Sequence, residues 1–185
     1  VSKSWGARAR RQVVRFLRDC TQRGAGMPLK DDFERDGFLL VKGFASRDEC
    51  KGLQGRMHEL IGKWDPDQTL APVFVTDEKQ QLQNQGRSDY FLDSADRIHF
   101  FLEKGAAGED GKLKPSVTKE RSLNKVGHGL HVADDAFRSY SHSEKVSSLV
   151  EQLGYKDAVV PQSMYIFKQP EIGGEVTSHQ DSSFL

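Results

Sequence analysis

The sequence predicts an α+β fold, mainly β, with flanking N-terminal helices. Two S-x-x-E capping boxes, at Ser46–Glu49 and Ser141–Glu144, open segments whose apolar residues recur at helical spacing. Three segments, 38–44, 97–103 and 158–169, are rich in β-branched and aromatic residues and have the length of strands. No internal repeat or low-complexity tract interrupts the 185 residues, and one domain is the expectation for that length.

Taken in order, residues 31–36 read as a short helix, with Leu29 and Phe33 four apart on one face and Gly37 as its stop. Residues 38–44 are apolar for most of their length and read as a buried strand. From Ser46 a helix presents Leu53, Met57, Leu60, Ile61 and Trp64 on one face and ends at Asp65-Pro66. Residues 76–85 read as a short polar helix closed by Gly86. Residues 97–103 are the second strand, and residues 105–115 a loop or hairpin. Asp134-Asp135 reads as a helix cap. The helix from Ser141 carries Val146, Leu149, Val150 and Leu153 on one face, with Gly154 as its C′ residue. Residues 158–169 are the third strand, and 170–175 a turn holding Gly173-Gly174.

Lys+Arg and Asp+Glu are 27 each, so the chain has no net charge, but the charge is unevenly spread. Residues 1–26 hold seven basic groups and one acid, leaving 20 basic and 26 acidic groups in residues 27–185. A body of that sign has no electrostatic reason to bind nucleic acid. The basic start differs in composition from the segment that Met27 opens. A non-native upstream segment is the favoured reading of residues 1–26, against a mitochondrial transit peptide or a membrane-surface helix. No apolar run approaches the ~20 residues that span a bilayer. Two cysteines, Cys20 and Cys50, suit a reducing compartment. The cytoplasm is the expected location, with a mitochondrion or peroxisome as the alternative.

His179-Gln180-Asp181 is the main chemical candidate. On a strand, residues i and i+2 share a face, so the imidazole and the carboxylate converge while Gln180 turns away. That is how a 2-His-1-carboxylate triad offers two of its three ligands to non-haem Fe(II). The plain alternative is a surface His–Asp hydrogen bond; the preceding strand and Gly-Gly turn favour the metal. His128 and His131 are three apart, yet Gly127 and Gly129 favour a glycine-rich turn with incidental histidines. His99 reads as a hydrogen-bonded strand residue, His58 as a boundary residue, and His142 as exposed. Lys125 stands before that glycine-rich turn. A solvated lysine is its plain reading, a carboxylate or phosphate contact the sharper one. Cys50 lies in the first turn of its helix and reads as packed or solvent-facing.

Three segments together resemble one family: DDFERDGFLLVKGF (31–44), SLNKVGHGLH (122–131) and PQSMYIFKQPEIGGEVTSHQDSSFL (161–185). They are similar to the phytanoyl-CoA dioxygenase family of Fe(II)- and 2-oxoglutarate-dependent oxygenases, from Met27 to Leu185. The resemblance implies a double-stranded β-helix, a cupin-like jelly roll, here incomplete. It implies that His179 and Asp181 bind Fe(II). It also implies that Lys125, Met164 and the tripeptide His179, Gln180 and Asp181 line the 2-oxoglutarate site. The family's second histidine ligand and an arginine for 2-oxoglutarate come after this motif, and no histidine follows His179 here. The expectation is therefore the N-terminal part, residues 27–185, of a dioxygenase that oxidises a small organic substrate and releases succinate and CO2. The chain alone is expected to be inactive, with Val159, Tyr165 and Phe167 incompletely buried. The alternatives are a non-catalytic binding or interaction isoform with an incomplete metal site, and a cupin-like metal protein of other chemistry. Substrate and oligomeric state are not legible.

Overall fold

A computed structural model of the chain describes residues 29–69, 71–74, 88–108 and 110–174. The expectations for residues 1–26, for the helix at 76–85, and for His179, Gln180 and Asp181 lie outside the described residues. Helices and an antiparallel sheet are both present, as the α+β class requires, although helical residues outnumber strand residues among those described. No helix among the described residues is long and apolar enough to cross a membrane. Contacts divide the chain into two units: one takes in the chain up to Lys42 together with Val150–Lys156, the other Gly43–Leu149 and the chain from Asp157 on.

In the first unit, α1 (Leu29–Asp36) ends where Gly37 takes φ +76° and its N–H reaches the Phe33 carbonyl. Phe33 meets Tyr155 edge to face at 6.4 Å. The expected strand at 38–44 does not form. Its residues pair with no strand, and Phe38 and Leu40 are exposed. Apolar composition favours a strand only where a neighbouring edge supplies hydrogen bonds, and the described strands form their ladders only with one another.

The second unit begins with the first capping box, which forms as read. Ser46 Oγ accepts the Glu49 N–H at 3.1 Å, and Glu49 Oε2 accepts the Ser46 N–H at 2.8 Å. The helix it opens, α2 (Arg47–Lys63), buries Met57 and Ile61, and Trp64 follows as its buried C-cap. Strands β1 (Ile98–Leu102), β2 (Leu123–His128) and β3 (Ser163–Ile166) form one antiparallel sheet in the order β1-β2-β3. Phe100 lies opposite Val126, and Val126 opposite Tyr165. Alternation puts these on one sheet face, where Phe100, Leu102, Leu123 and Val126 join Met57, Ile61, Trp64 and Phe137 in the core. Trp64 stacks on Phe100 at 4.7 Å with 6° between the rings. Residues 105–115 turn back on themselves through an Ala107–Leu113 bridge, as read.

Three short helices flank these strands: α3 (Asp89–Leu92) precedes β1, while α4 (Leu130–Ala133) and α5 (Asp135–Ser141) come after β2. Asp134 caps α5 as expected. Its Oδ1 accepts from the Ala136 and Phe137 amides, and its Oδ2 accepts from Arg56 Nε at 2.7 Å. The second capping box is corrected. Ser141 is the last residue of α5, and α6 (Glu144–Gln152) starts after Ser143, whose carbonyl takes the Ser147 N–H. A helix already capped at Asp134 runs through Ser141, so that serine is not free to start another. Gly154 takes φ +92° behind α6, as the C′ reading requires. The third strand is shorter than read: only Ser163–Ile166 pair, and Val159 is 83% exposed. Tyr165 and Phe167 are partly buried against the core.

Candidate functional site

The sheet face opposite the helical core is built by the other half of the same alternation. Phe101 pairs with Lys125, Lys125 with Ile166, and Gly127 with Met164, so Phe101, Lys125 and Met164 share that face. Gly127 makes this possible, because a Cβ there would stand 3.0 Å from Met164 Cγ. Lys125 Nζ lies 3.7 Å from Met164 Sδ. Two candidate residues 39 apart in sequence are thus brought together.

Lys125 is not the solvated lysine of its plain reading. It is 6% exposed, and its ammonium sits 3.6 Å over the Phe74 ring, with Phe101 at 5.2 Å and Phe91 at 5.6 Å. Phe74 is held there by pairing beside β1: its N–H donates to the Leu102 carbonyl, and Leu102 N–H donates to the Pro72 carbonyl. Among the described residues Lys125 has no carboxylate partner. Burial pushes its pKa down to about 7. The ring faces compensate the charge only in part, since a cation–π contact contributes roughly 2 kcal/mol or somewhat more when desolvated.

His128 and His131 are also buried, not the incidental members of a loop. His128 closes β2, with its Nδ1 2.6 Å from Ser94 Oγ. Burial, then the charges of Lys125 and His99, push its pKa down to about 4, so it stands neutral beside the lysine. His131 Nδ1 pairs with Ser163 Oγ at 2.7 Å, and its ring stacks near that of His142. His99 Nδ1 bonds the Tyr90 carbonyl at 2.8 Å, the hydrogen-bonded strand role expected of it. His58 and Cys50 are exposed, and His142 is exposed as expected, its Nδ1 3.1 Å from the Arg138 carbonyl.

Sequence reading missed the aromatic wall. The signal for one part was available: in RIHFFLE, Phe101 alternates with Phe100 and so faces away from the core that Phe100 joins. Nothing local announces Phe74 or Phe91. Among the described residues no group of three or more His, Cys, Asp or Glu is placed to hold a metal. The ligand candidates His179 and Asp181 follow the last described residue, Gly174, by five and seven positions.

Residues 33–185 match the family model for phytanoyl-CoA dioxygenase (PhyH). A phytanoyl-CoA dioxygenase domain-containing protein 1 from Mus musculus is 51% identical over 153 residues, covering 83% of this chain and 52% of the relative. A phytanoyl-CoA dioxygenase from Arabidopsis thaliana is 47% identical over 155 residues, 84% of this chain and 52% of its own length. A homologue of the first from Caenorhabditis elegans is 40% identical over 157 residues, 85% and 53% of the two chains. The chain spans about half the length of the curated relatives it matches. With a family model covering most of its residues and half-identical relatives, the chain belongs to the phytanoyl-CoA dioxygenase family.

Proposed function

We propose that the chain is the part of an Fe(II)- and 2-oxoglutarate-dependent dioxygenase that carries two metal ligands and one end of the cosubstrate site. The observation that carries this reading is Lys125: a buried ammonium, without a carboxylate among the described residues, against Met164 on the sheet face away from the core. A buried cation left without a counter-ion is poised to take an anion. A carboxylate of 2-oxoglutarate meets that need, and Met164 and Phe74 supply apolar walls for its methylenes.

The donor set of His179-Gln180-Asp181 suits Fe(II), an imidazole and a carboxylate two residues apart. In this reading His179 and Asp181 would hold the metal, and Gln180 would line the cosubstrate. The metal with its 2-oxo acid supplies the chemistry that activates O2, oxidises a C–H bond, and releases succinate and CO2. Lys125 fixes one carboxylate of the cosubstrate, and the aromatic wall excludes water from it. The three-stranded antiparallel sheet, with α2 and α5 packed against its core face, is proposed to be part of a double-stranded β-helix. The oxidised compound is an organic molecule of unassigned class.

The test is succinate release from 2-oxoglutarate by the full-length protein. His179→Ala and Asp181→Ala should abolish it, and Gln180→Ala should cost less. Lys125→Met should raise KM for 2-oxoglutarate more than it lowers kcat, by removing a charge-assisted contact. Wild-type turnover in Asp181→Ala, or no iron-dependent succinate release by the unmutated protein, would remove the reading.

A further inference from the structure

Glu103 is a buried acid that the proposed site does not use. It follows β1 directly and is 1% exposed, yet among the described residues no cation lies within ion-pair range of it. Its carboxylate takes neutral donors instead. Oε1 accepts the N–H groups of Gly174 at 2.8 Å and Lys104 at 3.3 Å, and Oε2 accepts Asn124 Nδ2 at 2.9 Å. An apolar side chain of similar volume would fill this position without the desolvation cost of a carboxylate. What only an acceptor provides is a fixed position for the Gly174 amide.

The rest of the turn is fitted to the same place. Gln169, where the turn starts, donates from Nε2 to the Glu120 carbonyl at 2.8 Å, and its own carbonyl accepts the Gly173 N–H at 3.0 Å. A Cβ on Gly173 would stand 2.6 Å from that carbonyl oxygen. A Cβ on Gly174 would stand 3.2 Å from Glu103 Oε1, and one on Gly105 3.2 Å from Ile172 Cβ. Gly173 is therefore required by close approach to backbone, Gly174 sits tightly against the Glu103 carboxylate, and the turn is fastened at both ends to the β1–β2 body.

We propose that Glu103 is a positioning residue for the metal ligands: by holding the Gly174 amide it sets the point from which the chain runs on to His179, five residues later. The inference rests on the reading of His179 and Asp181 as ligands. Groups that orient ligands without touching the metal commonly change metal affinity by about 10- to 100-fold when removed.

The experiment uses full-length protein, Mn(II) as an EPR-visible probe, thermal melting, and hydrogen exchange of the Gly174 amide. Glu103→Met, similar in volume but unable to accept, should melt cooperatively, expose the Gly174 amide and bind Mn(II) about tenfold or more weakly. Glu103→Gln should keep the affinity within about threefold, because its Oε1 still accepts both amides while the Asn124 amide turns over. Should Glu103→Met fail to fold, Gly174→Pro deletes the donor itself and should give the same loss. Wild-type Mn(II) affinity in a folded Glu103→Met or in Gly174→Pro overturns the proposal. So does a Gly174 amide that exchanges at the open-peptide rate in the unmutated protein. If the unmutated protein and His179→Ala bind Mn(II) equally weakly, the metal reading itself falls; if His179→Ala loses binding while the Glu103 and Gly174 variants keep it, the positioning role alone falls.

Discussion

Lys125 and His128 stand three residues apart on β2, and burial drives both toward neutrality. The proposed cosubstrate binds the charged form of Lys125. With the pKa pushed down to about 7, binding above that pH must take up a proton. The affinity for 2-oxoglutarate should then fall as pH rises past 7, by up to about tenfold per unit, and Lys125→Arg should flatten the profile because a guanidinium stays charged. Titration calorimetry between pH 6 and 9 checks this, and a flat wild-type profile sinks it. For His128 the sign concerns stability. The folded pKa is pushed down to about 4, against about 6.5 unfolded, so between those values the unfolded chain binds more protons. Acidification through that window should cost on the order of 3 kcal/mol, and His128→Asn should remove that dependence. Urea midpoints of the two proteins across pH 4 to 7 decide it. Lys125 is legible in the sequence through its family motif, but its burial is not. Its walls come from Phe74, Phe91 and Phe101, tens of residues upstream, and composition carries no record of such a meeting.

The elements legible in the sequence are those whose signals are local. Ser46 and Glu49 satisfy each other's backbone within four residues, and the helix starts where they say. Ser46→Ala should cost about 1 kcal/mol in the denaturant midpoint. Glu49→Ala should cost more, since Glu49 Oε1 also receives Lys145 Nζ at 2.5 Å, a contact that holds its carboxyl down near 2. Equal losses would mean that the lysine contact contributes nothing. The same four-letter pattern at Ser141 misleads, because the helix capped by Asp134 consumes it. Strand readings fail for a different reason. β1 falls within a residue of its expected span, whereas only four residues of 158–169 pair and none of 38–44 do. A strand is a property of two segments, and a single segment's composition states only half of it.

At the scale of the molecule, the two units differ in what holds them. α1 has no buried residue, whereas β2 buries all but one of its six. Local opening follows buried contact, so amides of α1 should exchange well before those of Val126 and Lys125, at a pH where chemical exchange is not limiting. Simultaneous exchange of the two would show that the chain opens as one unit. The α+β class is readable because caps and apolar spacing declare helices and strands one by one. The layering is not, since it depends on which face of each strand meets α2.

The double duty of Asp134 has a consequence for how such sequences drift. Its side chain is 1% exposed and serves both the α5 amides and Arg56, while the Arg56 side chain is 32% exposed and also reaches Glu59. The two positions are therefore unequal partners in a substitution history. If Asp134 changes first, to Asn or Ser, the cap survives and Arg56 keeps Glu59 and water. If Arg56 changes first, a buried carboxylate is stranded without its cation. Lineages should accordingly pass through Arg56 without Asp134 far more often than through Asp134 without Arg56, and reconstructed ancestors would show the order.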